Sequence, residues 1–288
     1  MQRNQIECGI AVRAMTPADL PAALRLCRAS GWNQVADDWR VFLEFPGSRC
    51  LVAEKNGAVV GTVASLDYQT CAWIAMMLVD PCERGAGIGS QLLGKSLSML
   101  RSGECAALDA TPEGEPLYRR HGFVKANSLI RMKAVVTAHR FDLKQGCVRR
   151  LDADDLPRVL ARDREIFGAD RSGLLRSFFH RAPQYAWIAK DGADLFGYCF
   201  GRLGHLYEQV GPIIAEREDI GRELVSRCLS AQEGTSIMID APADTSGWLS
   251  WLQSAGFIEQ RRFVRMYRGG TRQLSTSLHY GIAGPEFA

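Results

Sequence analysis

Apolar positions along this chain fall into two kinds of run, short alternating stretches and longer stretches with helical spacing, and the two follow one another in a regular order. Cys8 to Ala14 has strand character. Thr16-Pro17-Ala18-Asp19 then opens a helix, with a capping residue followed by proline at the first helical position, and Leu20, Leu24 and Cys27 form its apolar stripe. Gly31-Trp32-Asn33 breaks that helix, and Asp37 is expected to cap a second one carrying Trp39, Phe42 and Leu43. Cys50 to Glu54 and Ala58 to Leu66 read as strands joined at Asn56-Gly57, a dipeptide suited to a tight hairpin. Ala72 to Val79 is a further strand, and Ile88, Leu92, Leu93 and Leu97 mark the next helix. Ala106 to Ala110 returns to strand, Glu115 to His121 to helix ended by Gly122-Phe123, and Leu129 to Lys133 is expected to close the sheet.

The second half repeats this order. Val12 to Pro21 is echoed by Val148 to Pro157, and Ala53 to Gly61 by Ala189 to Gly197, both 136 positions on. Ile88, Gly89, Leu92, Leu93 and Leu97 meet Ile220, Gly221, Leu224, Val225 and Leu229 at an offset of 132. Leu108-Asp109-Ala110 answers Ile239-Asp240-Ala241, and Gly122-Phe123 answers Gly256-Phe257. So many ordered landmarks indicate a tandem duplication. The expected domains are 1–138 and 147–288, with a seam near His139 to Cys147 and an extended tail beyond Gly270.

Candidate chemistry concentrates between the strand ending at Val79 and the helix that follows. Arg84-Gly85-Ala86-Gly87-Ile88-Gly89-Ser90 places three glycines where a backbone can turn with positive φ and bring its N–H groups close to a ligand. The unpaired donors of the first helical turn point into the same concavity, where the helix dipole favours an anion. Arg84 adds a positive charge and a fork of donors. A P-loop needs a lysine where Gly89 stands, and a dinucleotide fingerprint needs G-x-G-x-x-G; the spacing here is G-x-G-x-G.

Arg84, Gly87 and Gly89 instead fill the defined positions of Q/R-x-x-G-x-G/A, so the loop resembles the acetyl-CoA loop of the GNAT N-acetyltransferases. Leu117-Tyr118-Arg119-Arg120-His121-Gly122-Phe123 resembles a second signature of that family, about 30 residues on. The resemblance implies an α/β (mixed α+β) fold in two tandem copies, each a mixed, largely antiparallel twisted sheet flanked by helices. It also implies a strand before the glycine loop that splays from its neighbour to admit the pantetheine arm of acetyl-CoA, the cosubstrate. Met77, Leu78 and Val79 would then offer backbone groups to that arm, residues 84 to 90 would hold its pyrophosphate, and Tyr118 would protonate the leaving thiolate. The segment holding Trp32, Asn33 and Asp37 covers the acceptor in the family, although Asp37-Asp38 reads equally well as a helix start. Asp67, Asp80, Glu83, Asp109 and Glu113 are possible bases that read more simply as turn or cap residues, and many family members use a water chain. In the second half, Glu216, Arg217, Glu218 and Asp219 stand for Arg84 to Gly87, and Leu252 stands for Tyr118. One cofactor per chain, in the first half, is expected.

Composition narrows the alternatives. The 288 residues carry 35 Lys/Arg against 32 Asp/Glu; residues 1–146 hold 17 against 14 and residues 147–288 hold 18 against 18, so the small excess lies beside the glycine loop. That is too slight for a nucleic-acid surface. Nine cysteines, with no C-x-x-C pair or metal spacing, read as small hydrophobes in a reducing compartment. No membrane-length apolar run and no signal peptide are seen in the sequence, and a cytoplasmic monomer or homodimer acting on a small-molecule or peptide amine, without metal, is the expectation. A CoA-binding regulatory module without turnover is the alternative reading.

Overall fold

The computed structural model describes residues 9–101, 103–137, 146–270 and 277–288; most of the expected seam therefore lies outside the described residues. The first half runs β1 (Ala11–Ala14), α1 (Leu20–Ala29), α2 (Ala36–Glu44), β2 (Arg49–Lys55), β3 (Ala58–Asp67), β4 (Cys71–Val79), α3 (Ile88–Ser98), β5 (Cys105–Ala110), α4 (Glu115–Arg120) and β6 (Val124–Val135). The second half repeats it element for element: β7 (Val148–Arg150), α5 (Leu156–Phe167), α6 (Ser172–Arg181), β8 (Trp187–Asp191), β9 (Asp194–Arg202), β10 (Glu208–Ala215), α7 (Glu218–Leu229), β11 (Ser236–Pro242), α8 (Ser246–Ser254) and β12 (Ile258–Arg268), with β13 (His279–Gly281) added.

All thirteen strands form one sheet, in the order β1-β2-β3-β4-β5-β12-β6-β11-β10-β9-β8-β7, and β13 pairs with β10. The order is a palindrome about β12 and β6, and it shows that the last strand of each half has crossed over. β12 pairs antiparallel with β5, and β6 pairs antiparallel with β11. The run from Leu129 to Lys133 does close a sheet, but it does so against the second half. Only β4 with β5 and β10 with β11 are parallel. The architecture is thus a mixed α/β fold built on a largely antiparallel sheet.

Two buried ion pairs mark the exchange. Arg265 on β12 reaches Asp109 on β5 through two hydrogen bonds of 2.9 Å, and Arg131 on β6 reaches Asp240 on β11 at 2.7 and 2.8 Å. The two pairs are copies of each other under the duplication, and each ties one half to the strand lent by the other. Both carboxylates are fully buried. Such bidentate forks offset the desolvation of two charges only in good geometry, which makes them selective for this pairing.

Helix starts depart from expectation in one place. The carboxylate that caps α2 is Asp38, which accepts from the Val35 N–H at 2.9 Å; Asp37 instead points to Arg40 and to Arg181 at 3.4 Å. With both aspartates in the first turn, the more buried one reaches back to the free donor. Core packing divides by face. Trp39, Phe42, Tyr68 and Trp73 pack with α5, α6 and Phe287 on one face, and Ile74, Leu92, Leu93 and Tyr118 pack under α3 and α4 on the other.

Candidate active site

The candidate site begins where β4 and β5 part. Their parallel ladder runs through Cys71, Ala72 and Trp73 opposite Cys105, Ala106 and Ala107, and then stops. On its other edge β4 stays paired with β3, but the register jumps between Thr62 opposite Leu78 and Ala64 opposite Ala75, leaving an extra residue in β4. Met76 takes the strain with φ of +52°, and the Thr62 hydroxyl holds its carbonyl at 2.8 Å. A bulge of this kind bends a strand and re-aims its backbone groups. The fork so formed has the backbone edge of Met77, Leu78 and Val79 along one side.

The glycine-rich loop 84–90 closes the open end. Asp80 accepts from Cys82 N–H at 3.1 Å and from Arg25 at 2.6 Å, which holds its carboxyl below the usual range and fixes the turn after β4. Gly85 and Gly87 have φ of +83° and +79°, and a Cβ at either would meet nothing within 4 Å, so they are required by conformation and leave room above the loop. Gly89 corrects the sequence reading: it is helical, and a Cβ there would stand 3.4 Å from Leu117. Ala86, Gly87 and Ser90 are exposed, and the first donor of α3 to find a helix carbonyl is Gln91, 3.0 Å from that of Gly87. The N–H groups of Ile88, Gly89 and Ser90 thus belong to the free first turn. Arg84 is exposed and folds back, with Nε 3.3 Å from the Val79 carbonyl and Nη2 3.5 Å from Ser30 Oγ. The Ser90 hydroxyl lies 2.8 Å from His121 Nε2.

Tyr118 packs under this loop in the cluster that holds Ile88, Leu108 and Ala110, with its ring edge-on to Phe123 at 6.0 Å. Burial pushes its phenol well above the ordinary tyrosine range. It therefore keeps its proton at neutral pH.

On the opposite face, the segment from 30 to 35 crosses toward the second half. Asn33 is buried and its amide is turned onto the second half: Nδ2 donates to the Tyr207 carbonyl at 2.8 Å, and Oδ1 accepts from Leu206 and Tyr207 N–H at 2.7 and 3.0 Å. It fastens the loop after β9 to the first half. Trp32 is half-buried against the core, and Asp37 is ion-paired. The possible bases are mostly engaged as well: Asp67 with Arg101, Glu83 with Lys55, and Asp109 with Arg265. Glu113 is exposed, and its carboxyl is held low first by its own backbone N–H and then by the Thr111 hydroxyl.

The second half has a counterpart of the fork, and it is filled. β10 and β11 are parallel only at Glu208 and Gln209 opposite Ile237 and Met238. Beyond that point β13 lies beside β10, with Ile213 opposite Gly281, while Ile282 N–H donates to the Asp240 carbonyl at 3.0 Å. A Cβ on Gly211 would stand 1.9 Å from the Ile282 carbonyl oxygen, so the tail seats directly on the strand. At the mouth, Arg217 is ion-paired with Asp219, no residue of 216–219 has positive φ, and Leu252 is buried apolar core.

Sequence reading missed Gln34. Its side chain is 6% exposed; Nε2 donates to Glu286 at 2.9 Å and Oε1 has no partner. Nothing in the local pattern around 34 distinguishes it, because its partner lies 252 positions away. It also missed Arg131 and Arg265, although their spacing of 134 repeats that of the Gly-Phe pairs and was open to view. Among the described residues no group of three or more His, Cys, Asp or Glu is placed to hold a metal ion, and no helix is long and apolar enough to cross a membrane.

The site thus combines a parallel strand pair that forks, a bulge beside it and a glycine-rich helix start with free N–H groups. The GNAT acetyltransferase domain matches the chain twice, at residues 46–125 and 159–281, and the chain belongs to that family as a tandem member. It is similar to the holothin acyltransferase of Pseudoalteromonas sp. (strain SANK 73390), 27% identical over 245 residues, 84% of this chain and 82% of the relative. It is also similar to the uncharacterized N-acetyltransferase YitH of Bacillus subtilis (strain 168), 24% identical over 241 residues, 81% of this chain and 83% of that one. Among solved structures, an acetyltransferase-assigned protein of Pyrococcus horikoshii superposes with a TM-score of 0.81 at 20% identity, covering 100% of this chain and 99% of its own. A tandem GNAT protein from the clavulanic acid biosynthesis pathway superposes with a TM-score of 0.69 at 15% identity, covering 92% and 100%.

Proposed function

We propose that this chain transfers an acetyl group from acetyl-CoA directly to an amine of a small molecule, at one site in the first half. The observation that carries the reading is the β4–β5 fork ending in the loop 84–90, set against a second fork already occupied by β13. In this reading the pantetheine lies along Met77, Leu78 and Val79, its amides replacing the missing strand. The free N–H groups of residues 85 to 90 meet the pyrophosphate, with Ile88 seating the helix start and Arg84 swinging out from Val79 to add charge. A backbone N–H beside the Met76 bulge faces the thioester oxygen as it gains charge. Tyr118 supplies the proton to the leaving sulfur. The similarity to an acyltransferase acting on holothin supports a small-molecule acceptor over a protein one.

Incubation with acetyl-CoA and a panel of amines, following free thiol, tests this. Thiol release that depends on an amine and yields its N-acetyl product is the expected result. Acetyl-CoA binding without turnover of any amine would favour the regulatory module.

A further inference from the structure

Independently of the acetyl-transfer reading, we infer that Cys71 and Cys105 form a covalent modification site: a reversible disulfide, made by a peroxide, that staples β4 to β5 at the closed end of the fork. The two residues stand directly opposite each other at the start of the parallel ladder, which continues through Ala72 with Ala106 and Trp73 with Ala107 before the strands part. Neighbouring strands lie ~4.8 Å apart, inside the ~4.4–6.8 Å between Cα atoms that a disulfide accepts. Both cysteines are buried and unbridged, and their Sγ atoms are 3.0 Å apart. Nonbonded heavy atoms rest at about 3.5–4.0 Å, so this is closer than two small hydrophobes filling a core would stand. About 1 Å of further approach reaches the ~2.05 Å sulfur–sulfur bond. The backbone is already in place for it.

The surroundings give the two sulfurs different parts. Cys105 begins β5 and keeps 6% of its surface exposed, while Cys71 keeps none. Cys71 donates to the Cys105 sulfur, and Cys105 in turn donates to the Gly270 carbonyl at 3.5 Å, just beyond β12. Burial, and then the Cys105 sulfur beside it, push the Cys71 thiol up, so Cys71 is the slower of the two to meet an oxidant. A small neutral peroxide reaches Cys105 first. The Cys105 sulfur bonds to one peroxide oxygen, the O–O bond breaks, water leaves and a sulfenic acid remains. The Cys71 sulfur then bonds to the Cys105 sulfur, and the sulfenic hydroxyl departs as a second water with the Cys71 proton. Two thiols have given up two protons and two electrons, and one hydrogen peroxide has become two waters. A dithiol returns both electrons and reopens the bond. The ladder otherwise joins β4 to β5 through three residue pairs alone. The bond closes a loop that holds the glycine turn and all of α3, which restricts the unfolded chain and raises stability.

The experiment treats the intact protein with hydrogen peroxide, alkylates the remaining thiols in urea, digests with trypsin and maps the peptides by mass spectrometry. Cys71 shares the tryptic peptide 56–84 with Cys82, so the mapping uses Cys82→Ser, and fragmentation of the same peptide locates the link in the wild-type chain. The expected result is peptide 56–84 joined to peptide 102–119, lost on adding dithiothreitol and never formed in Cys105→Ser. The linked protein should melt about 5–10 °C higher than the reduced one. Both cysteines still alkylated after the half-buried Cys147 has been oxidised, Cys105 carried on to sulfinic acid without the link, or a linked protein that melts no higher would each overturn the assignment. Acetyl-CoA is absent throughout, so the outcome stands apart from that of the acetyl-transfer test.

Discussion

Gly87 separates two effects of substitution. Its φ of +79° strains any side chain, yet the space where a Cβ would stand is open. Gly87→Ala should therefore lower stability by about 1 kcal/mol and weaken cofactor binding little. Gly87→Asp adds the same strain and a carboxylate facing the pyrophosphate, so it should abolish acetyl-CoA binding in a fold that melts like the alanine variant. Equal acetyl-CoA affinities in the two variants would remove the loop from the site. Tyr118→Phe keeps the ring against Phe123 and deletes only the proton; kcat should fall by about 10- to 10³-fold with the KM for acetyl-CoA nearly unchanged. Because burial raises the Tyr118 pKa, the phenol stays protonated to higher pH than an ordinary tyrosine. The kcat profile should show no downward limb from its ionisation below about pH 10, and such a limb, absent in Tyr118→Phe, would contradict the burial argument. At this scale the glycine loop and Tyr118 were legible because their signals are local. Gln34 and the engagement of Asn33 were not, because each depends on a partner from the other half.

Between elements, the strongest constraint is the exchange of β6 and β12. Asp109→Asn leaves the Arg265 guanidinium buried without its counter-charge, and should cost about 3–5 kcal/mol in urea denaturation. Replacing both residues with apolar ones of similar volume should cost much less. If the single and double replacements cost the same, the pair is not what holds β12 to β5. Gly211→Ala tests the tail: a methyl there meets the Ile282 carbonyl at 1.9 Å, so β13 must shift, at about 1–3 kcal/mol by overpacking. Loss of protection of the Ile282 and Ala215 amides in hydrogen exchange would accompany it. Element order and the hairpins were readable from periodicity and Asn-Gly chemistry. Strand exchange was not, since β6 and β12 have nearly the same landmarks and either can complete either sheet; periodicity sets which face of a strand is buried, not which neighbour it joins.

Across the whole molecule, the duplication has produced one sheet with two forks of unequal fate. In the first, the strand edge is free and the loop is rich in positive-φ glycine; in the second, a strand of the same chain makes the hydrogen bonds and the loop carries Glu216, Glu218 and Asp219. The second half lends β12 to the first sheet, hangs a loop on Asn33, and sends residues 282–288 across to Trp73 and Tyr68. A calorimetric titration of the intact chain with acetyl-CoA tests this account most directly. One molecule bound per chain, lost in Gly87→Asp, is the predicted result; two molecules per chain, or one that survives Gly87→Asp unchanged, would contradict it.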